Sequence, residues 1–581
     1  MSREQREDAN RYFYRASALD FMKIPGSPIG YWISNQFLDA FKSGNLLSDY
    51  SKGSTGLQTS DSQSFVRYLH EPSASKIGKK WIKLAKGGAF RKWYGNVEHL
   101  VNWEDNGTSI KNYVINKYPY LNGNYALVVK NEGTYFSPGI LTSRVTSGGL
   151  SFRVKESDEI YADACTAIFP EDSEFFLCLL STKLLQIVKS LNPTINFQAS
   201  DIEKFPVLEL GSKEHIKEIA YSCISLAKAD WDLRENTWDF ATFPLVKDDH
   251  DIQKNYENLR AQWQANTEKM QHLEERNNRL FIEAYGLQEE LTPEVPLQEV
   301  TLTGNPHYRY GGNRSEEDLE TLLQCDTIRE LVSYAIGCMM GRYSLDKPGL
   351  ILASQGETMQ DYLTQIPSPS FAPDDDAILP LTDQEWFSDD ATNRFQEFVH
   401  VVWGDEHLQE NLDFVAESLC LHAINSKRGE SSLDAIRRYL STQFFKDHLR
   451  TYKKRPIYWL FSSGKFKAFE CLVYLHRYNE STLSRMRTEY VIPLTAKMST
   501  YAAKLQNDID ASVNTAEKKR LEKELDTLHK QQAELSTFDE KLRHFADQRI
   551  SLDLDDGVKV NYGKFGDLLA EVKAVTGDKS E

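Results

Sequence analysis

The sequence lacks the features that mark a membrane protein, a secreted protein or a zinc protein. No apolar run approaches the length needed to cross a bilayer, and the first residues, MSREQRED, are charged and not apolar. The seven cysteines are scattered and never spaced as Cys-x-x-Cys. They predict reduced core thiols, with neither a disulfide framework nor a zinc site. We therefore expect a cytoplasmic protein that does not contact a membrane.

Motifs for common enzyme chemistry are also absent. The sequence contains no G-x-x-x-x-G-K-[ST] phosphate loop and no G-x-S-x-G nucleophile elbow. The stretch from Asp553 to Gly557 resembles a calcium loop only faintly, because its glycine is misplaced and position twelve is Lys564. The sequence therefore predicts no catalytic residue and no metal ligand within this chain.

One cationic segment stands out in an acidic chain. The formal net charge is -17, yet residues 76–96 contain no acid. They hold seven cations with four aromatic residues between them: Lys76, Lys79, Lys80, Lys83, Lys86, Arg91, Lys92, Trp81, Phe90, Trp93 and Tyr94. Cations on flexible stems attract phosphate, and aromatic faces stack on bases. The segment predicts a DNA clamp, for which we select Lys83, Lys86, Arg91, Lys92 and Tyr94. The alternative is a solvated hairpin with Trp81 and Trp93 in the core, and Trp93 is expected to pack.

Two further segments offer base-reading side chains. Arg144 lies among short hydroxyl residues that include Ser147, with two glycines behind them, and a guanidinium fork suits guanine or phosphate. Asn196 lies in a polar loop, and its amide can read adenine. The alternatives are a surface turn for Arg144 and hydrogen bonds within the loop for Asn196. A second cationic run, from Arg450 to Lys467, surrounds YWLF, which predicts a buried core segment.

The pattern of apolar residues predicts an α+β chain, with a strand-rich domain, which the family resemblance given below implies is the recognition domain, followed by a mostly helical scaffold that contains long helix pairs. Single helices are predicted over 173–191, 254–283 and 316–342, the last capped by Ser315. Residues 348–393 contain no Lys or Arg and predict a solvated acidic linker. The predicted order is a connector (1–55), the recognition domain (56–210), a helical spacer (211–290), a helix plus acidic linker (291–393), and a helical C-terminal domain (394–581) with a coiled-coil-like pair at 498–549.

Several sequence blocks carry a family resemblance. They are GLQTSDSQSFVRYLHE (56–71), KGGAFRKWYGNVEHLVNWEDNG (86–107), TYFSPGILTSRVTSGGLSFRV (134–154) and NPTINFQASDIEKFPV (192–207), followed by blocks at 334–353, 455–478 and 553–572. Together they resemble the C-terminal, target-recognition half of the PglX family, the adenine-specific DNA methyltransferases of BREX phage-defence systems. The resemblance implies double-stranded DNA as the acceptor, and as partners the missing methyltransferase half and other phage-defence proteins.

The catalytic parts of that family are not found in the sequence. The family binds S-adenosylmethionine through a glycine-containing strand-turn-helix, and its Asn-Pro-Pro-Tyr/Phe loop holds the flipped adenine. The nearest match, Asn305-Pro306-His307-Tyr308, predicts a turn. S-adenosylmethionine is thus expected for the complete enzyme and not for this chain, which we expect to be inactive alone and to begin where the catalytic half ends. The alternatives are a non-enzymatic interaction subunit that docks through its helical seams, or a methyltransferase with an unrecognised cofactor site.

Overall fold

The computed structural model describes residues 17–27, 29–145, 149–191, 198–208, 210–211, 213–246 and 249–577. The chain forms two compact units, and each is assembled from separate stretches of sequence. Unit 1 comprises Met1–Val66, Gly78–Asp232 and Ala261–Asn313, and unit 2 comprises Arg67–Ile77, Leu233–Arg260 and Arg314–Glu581. The predicted domains are consecutive in sequence, whereas these units are interleaved.

Unit 1 contains most of the strands, as the α+β prediction requires. Its helices are α1 (Ala18–Phe21), α2 (Asn35–Ser43), α3 (Ser62–Phe65), α4 (Glu104–Lys117), α5 (Ser173–Leu180), α6 (Leu184–Leu191), α7 (Ala199–Glu203), α8 (Lys213–Trp231), α9 (Ile252–Ala284, in unit 1 from Ala261) and α10 (Pro306–Tyr310). Its strands are β1 (Asn45–Leu46), β2 (Ser54–Thr55), β3 (Val66–Tyr68, of which Val66 is in unit 1), β4 (Trp81–Ala85), β5 (His99–Asn102), β6 (Gly139–Ser143), β7 (Phe152–Lys155), β8 (Glu159–Tyr161), β9 (Cys165–Ile168) and β10 (Pro206–Val207).

Two small four-stranded sheets position the functional loops. Their strand orders are β2-β9-β6-β7 and β3-β5-β4-β8, and β1 pairs separately with β10. Strands β4 and β8 are parallel, whereas β6 pairs antiparallel with β7 and β9. The alternation of short apolar runs with turn residues over 56–210 explains why these segments form strands. Strand β4 lies within the cationic segment, and the end of β6 leads directly into the Arg144 segment.

The core of unit 1 is aromatic-rich. Trp81 and Trp93 are 1% and 0% exposed, so the prediction that Trp93 packs in the core is confirmed. Complete burial of a side chain of this size stabilises the fold by roughly 1.5–3 kcal/mol or more. Trp93 belongs to an apolar cluster to which helices α5, α8 and α9 contribute Phe175, Trp231 and Phe281.

Unit 2 is mostly helical. Its helices are α11 (Glu316–Met339), α12 (Met359–Gln365), α13 (Ala391–Trp403), α14 (Leu408–His422), α15 (Ser432–Tyr439), α16 (Phe445–Thr451), α17 (Thr482–Arg485), α18 (Ile492–Ala511), α19 (Thr515–Asp547), α20 (Gly557–Gly563) and α21 (Val572–Thr576). Strands β11 (Ile378–Pro380), β12 (Tyr458–Ser462) and β13 (Glu470–Tyr474) form one antiparallel sheet in the order β11-β13-β12. Ser315 caps α11 by accepting the Asp318 N–H at 3.1 Å, as predicted. No helix among the described residues combines the length and apolarity that a bilayer span needs.

Several segments differ from the sequence prediction in a way that tertiary packing explains. The acidic stretch 348–393 contains α12 and β11, and its apolar residues Ile351, Leu352 and Tyr362 form a buried cluster. Strand β11 completes the unit 2 sheet by pairing with β13. The helix predicted over 173–191 is interrupted between α5 and α6 at residues 181–183.

Helices α18 and α19 pack as a hairpin in which Leu521, Leu525, Leu528, Leu535 and Leu542 are buried.

Candidate nucleic-acid interface

The cationic segment forms β4 and the loop that follows it. Trp93 has a positive φ of 69°, which is unusual for a bulky residue. Two backbone hydrogen bonds hold it there, from its N–H to the Phe152 carbonyl (2.8 Å) and from the Val154 N–H to its own carbonyl (2.9 Å). Its indole N–H also donates to Glu274 at 2.7 Å. The loop is therefore fixed against the sheet and α9 by its aromatic residue.

Arg91 is directed into the interior of unit 1. It is 3% exposed, and its guanidinium donates to the Asp230 carboxylate at 2.8 Å and to the Tyr94 carbonyl at 2.9 Å. Asp230 also accepts the backbone N–H groups of Thr303 (2.7 Å) and Gly304 (2.9 Å). A carboxylate that is satisfied in this way, with its cation buried, is a structural ion pair. The arrangement gives Arg91 a structural role that the prediction of a phosphate contact did not include.

Lys92 and Tyr94 are buried in the same manner. The Lys92 ammonium pairs with Glu274, the carboxylate that also accepts the Trp93 indole N–H. Tyr94 is 4% exposed, and the Lys228 ammonium donates to its hydroxyl at 3.2 Å and lies 4.7 Å from its ring centroid. Burial raises the pKa of Tyr94 well above its usual value. In this arrangement neither side chain faces solvent, so neither presents a group to a phosphate.

Lys83 faces the acidic turn between β7 and β8. Its ammonium lies 2.8 Å from the Asp158 carboxylate, and it is opposite Glu159 in the β4–β8 register. Glu159 is 1% exposed, and burial raises its pKa to about 7. Carboxylate oxygens of Glu156, Asp158 and Glu159 lie within 4.8 Å of one another. Lys83 and Lys228 pair with Asp158 and Glu156 respectively, so the turn is compensated by the protein's own cations.

Most of the cationic segment is thus neutralised by acids that are distant in sequence. Five of its seven cations carry an ion pair: Lys76 with Asp555, Lys80 with Glu104, Lys83 with Asp158, Arg91 with Asp230 and Lys92 with Glu274. Within the described residues, Lys79 and Lys86 have no ion pair. Lys79 precedes β4 and Lys86 follows it. Of these two cations, Lys86 is therefore the one on the side of the Arg144 segment.

The segments that carry Lys86 and Arg144 meet at the turn between β8 and β9, and the Lys86 ammonium donates to the Ser62 hydroxyl at 3.5 Å. Arg144 donates its backbone N–H to the Ala164 carbonyl (2.9 Å) and its guanidinium to the Asp163 carbonyl (3.2 Å). Lys86 is half-buried, which lowers its pKa, and the Asp163 carboxylate opposes that shift. The Gly88 N–H donates to the Ser143 hydroxyl at 3.2 Å, which joins the two segments directly. The fold therefore places two predicted DNA contacts beside one another.

The other two predicted contacts, Ser147 and Asn196, lie outside the described residues. A cleft of about 350 Å³ in unit 1 adds cations that the sequence reasoning did not select. It lies between the Phe90 and Gly149 region and the interruption of α5 and α6, where Lys183 and Lys189 line it. The missed signal was the polar triplet Ser181-Thr182-Lys183 inside an otherwise apolar helical pattern.

The Asn305-Pro306-His307-Tyr308 tetrapeptide has the local structure of a turn that begins a helix. Asn305 is 1% exposed, and its amide donates to the carbonyls of Leu297 (2.7 Å) and Val300 (2.9 Å). The Tyr308 hydroxyl donates to the Phe90 carbonyl at 2.5 Å. The amide that would hold the adenine amino group is used inside the protein, so these residues do not fit a methyltransferase catalytic loop.

The sheets do not fit a cofactor fold either. An open α/β sheet binds its cofactor outside the carboxyl ends of several parallel strands. Among the named strands whose register the described residues define, only β4 and β8 run parallel. The described sheets therefore lack the open parallel arrangement of that cofactor fold.

Comparison with known proteins identifies two relatives along nearly the whole chain. The chain is 43% identical over 576 residues to the adenine-specific methyltransferase BrxX of Escherichia coli O9:H4 (strain HS), covering 97% of this chain and 46% of that protein. It is 35% identical over 579 residues to the adenine-specific methyltransferase PglX of Lacticaseibacillus casei (strain Zhang), covering 95% and 45%. The expected similarity to PglX-type adenine-specific methyltransferases is confirmed, and the chain spans less than half the length of these relatives. No family model matches the chain.

Proposed function

We propose that this chain is the DNA target-recognition and scaffold half of a PglX-type adenine-N6 methyltransferase of a BREX phage-defence system. It binds duplex DNA in the cytoplasm together with a methyltransferase half that supplies S-adenosylmethionine binding and the Asn-Pro-Pro-Tyr/Phe loop. Other phage-defence proteins dock on the assembled enzyme. The proposal is supported by relatives that are adenine-specific methyltransferases and are matched along 95–97% of this chain.

The observation that carries DNA binding is the juxtaposition of Lys86 and Arg144. They are 58 positions apart in sequence, and their segments meet at one turn, where Arg144 donates to the Asp163 carbonyl and the Gly88 N–H donates to the Ser143 hydroxyl. Phosphate contacts position a protein on DNA, whereas base contacts specify the sequence. We assign Lys86 to a phosphate and Arg144 to a base edge. Arg91, Lys92 and Tyr94 support this surface from behind, and Lys83 fixes the neighbouring turn.

The test is duplex binding as a function of salt, measured by fluorescence anisotropy with the full chain. Lys86→Ala should weaken binding to all duplexes and lower the salt slope by about one unit, as the loss of one phosphate contact predicts. Arg144→Ala should cost roughly 1–3 kcal/mol on a duplex selected from a random pool and little on its scrambled version.

A double variant, Lys504→Ala with Lys518→Ala, is the matched control. It removes two exposed cations from the helical hairpin, so it changes the net charge as Lys86→Ala with Arg144→Ala does. If the control weakens binding as much as the pair at the turn does, the effect is one of bulk charge and the assignment fails.

Methyl transfer by the chain alone is tested with labelled S-adenosylmethionine and phage DNA. We expect no incorporation above a blank, because the residues nearest to a catalytic motif are engaged in internal hydrogen bonds. Incorporation that persists after removal of contaminating enzymes would refute the proposal that methyl transfer belongs to the other half of the enzyme. It would support the alternative that this chain is a methyltransferase with an unrecognised cofactor site.

The competing function is an interaction subunit that docks through the helical seams. That function requires apolar faces that the chain itself leaves uncovered. The leucines of the hairpin are buried, as are Leu259, Trp263 and Met270 along α9. The apolar faces named for this alternative are already covered within the chain, which favours the DNA-binding proposal.

A further inference from the structure

Specific hydrogen bonds from α9 hold the interruption between α5 and α6 in unit 1. The sequence SEFFLCLLSTKLLQIVKSL reads as one helix, yet residues 181–183 leave the helical path. Two neighbouring asparagines of α9 hold the two sides of the interruption. The Asn277 amide donates to the Cys178 carbonyl at 2.9 Å, and the Asn278 carbonyl oxygen accepts the Lys183 N–H at 3.1 Å. Both asparagines are at least 97% buried, so the break is maintained by buried, specific hydrogen bonds.

The interruption opens onto the cleft of about 350 Å³. That volume lies in the range of small-molecule sites, roughly 300–1,000 Å³. Its lining includes the aromatic residues Phe90 and Phe152 and the polar residues Ser181, Lys183 and Lys189. The cleft therefore has an aromatic side and a cationic side, the two properties that a nucleotide needs.

The cationic side has unused binding capacity. Among the described residues, neither Lys183 nor Lys189 forms an ion pair, and the buried Ser181 hydroxyl oxygen has no hydrogen-bond partner. The first turn of α6, which is eight residues long, begins at the same place. Its positive end adds to the attraction for an anion. Lys92, Glu274 and Glu299 also line the cleft, and of these Lys92 and Glu274 neutralise one another.

The aromatic side is fixed without using its ring. The Phe90 carbonyl accepts the Tyr308 hydroxyl at 2.5 Å, which holds the backbone while the ring remains partly exposed. Gly149 lies beneath this ring, and a Cβ at that position would be 3.5 Å from it. Aromatic rings in such positions stack on bases with little sequence preference.

We infer that the cleft binds one nucleotide displaced from the bound DNA, with its base against Phe90 and its phosphate at Lys183 and Lys189. This inference rests on the proposed function, since it takes the nucleotide from DNA held at the Lys86–Arg144 surface. It adds a second nucleotide position, in the recognition half, to the enzyme. The ligand chemistry is that of a nucleoside phosphate, which a free nucleotide shares.

The experiment compares a fully paired duplex with a duplex that carries one unpaired nucleotide, by anisotropy at fixed salt. The full-length protein should bind the second duplex at least about fivefold more tightly, because stacking of one base on an aromatic side chain is worth at least that factor. Phe90→Ala should abolish the preference, and Phe90→Tyr, which retains an aromatic face, should keep it.

Lys189→Ala should reduce the preference as well, and Lys269→Ala is its control, because both lysines are exposed on helices of unit 1. Lys189 is on the surface, so this variant tests the inference even if Phe90→Ala fails to fold. Persistence of the preference in Phe90→Ala and Lys189→Ala together would overturn the assignment.

Two further outcomes separate this inference from the proposed function. Failure of the protein to bind either duplex refutes the proposed function, and the displaced-nucleotide inference with it. Equal binding to both duplexes overturns the cleft assignment alone. The last measurement is calorimetric titration of the chain with dAMP. If dAMP binds saturably but the duplex with an unpaired nucleotide is not preferred over the paired duplex, the cleft binds a free nucleotide and not one displaced from DNA.

Discussion

Replacing Arg91 by alanine should destabilise unit 1 and leave DNA binding nearly unchanged. Arg91 and Asp230 are both buried, with side chains 4% and 9% exposed. Removal of one partner from a buried ion pair costs about 3–5 kcal/mol, because the other charge stays behind without compensation. Asp230 would keep its bonds from Thr303 and Gly304, which places the expected loss near the lower end, about 3 kcal/mol.

That loss corresponds to a fall in Tm of roughly 6–12 °C for a unit of this size. The measurement is circular dichroism melting of the full chain, with Arg276→Ala as the control, since Arg276 is an exposed arginine of α9. Arg91→Ala with Asp230→Ala should recover part of the loss, because no unpaired charge remains in the interior. A variant with unchanged Tm and a salt slope reduced by one unit would show that Arg91 contacts phosphate and would refute the structural reading.

Three other perturbations test the interior. Burial lowers the pKa of His448 to about 3, against about 6.5 in the unfolded chain. The free energy of unfolding should therefore fall by about 1.4 kcal/mol for each pH unit below 6.5. In urea titrations, His448→Gln should lose less stability over this pH range than the wild type does. Burial raises the pKa of Glu159 to about 7, so stability falls as pH rises from about 4.5 to 7, and Glu159→Gln should gain on wild type over that range in the same assay. Leu528, 3% exposed in the hairpin, should not tolerate Asp, since an unpaired buried carboxylate is costly; an unaltered melting curve for Leu528→Asp would mean that the hairpin does not contribute to the cooperative transition.

Local features of the chain could be predicted because their causes are local. The Ser315 cap, the helix over 252–284 and the buried YWLF segment depend on spacing and residue type within a few turns. The predicted helix pair at 498–549 corresponds to α18 and α19, and α19 contains the heptad-like leucines from Leu521 to Leu542. In each case the residues that determine the element are close together in sequence.

The burial and ion pairing of the cations in residues 76–96 could not be predicted, because their acidic partners are distant in sequence. Asp230 lies 139 positions from Arg91, and Glu274 lies 182 positions from Lys92. A segment without acids in sequence is therefore not a segment without acids in space. The interruption at 181–183 was missed for a related reason, since the asparagines that hold it are on α9.

The number of uncompensated cations limits how strongly this chain can respond to salt. Each phosphate neutralised contributes about 0.9 to the salt slope on B-form DNA, so a clamp using all seven cations of residues 76–96 would give a slope near 6. The proposed contacts Lys86, Arg144, Lys183 and Lys189 would instead give a slope of about 4. Because the net charge of -17 opposes non-specific attraction, the chain alone should bind DNA weakly and gain affinity from its partner half. A measured slope of 6 or more would mean that the buried ion pairs of Arg91 and Lys92 open when DNA binds.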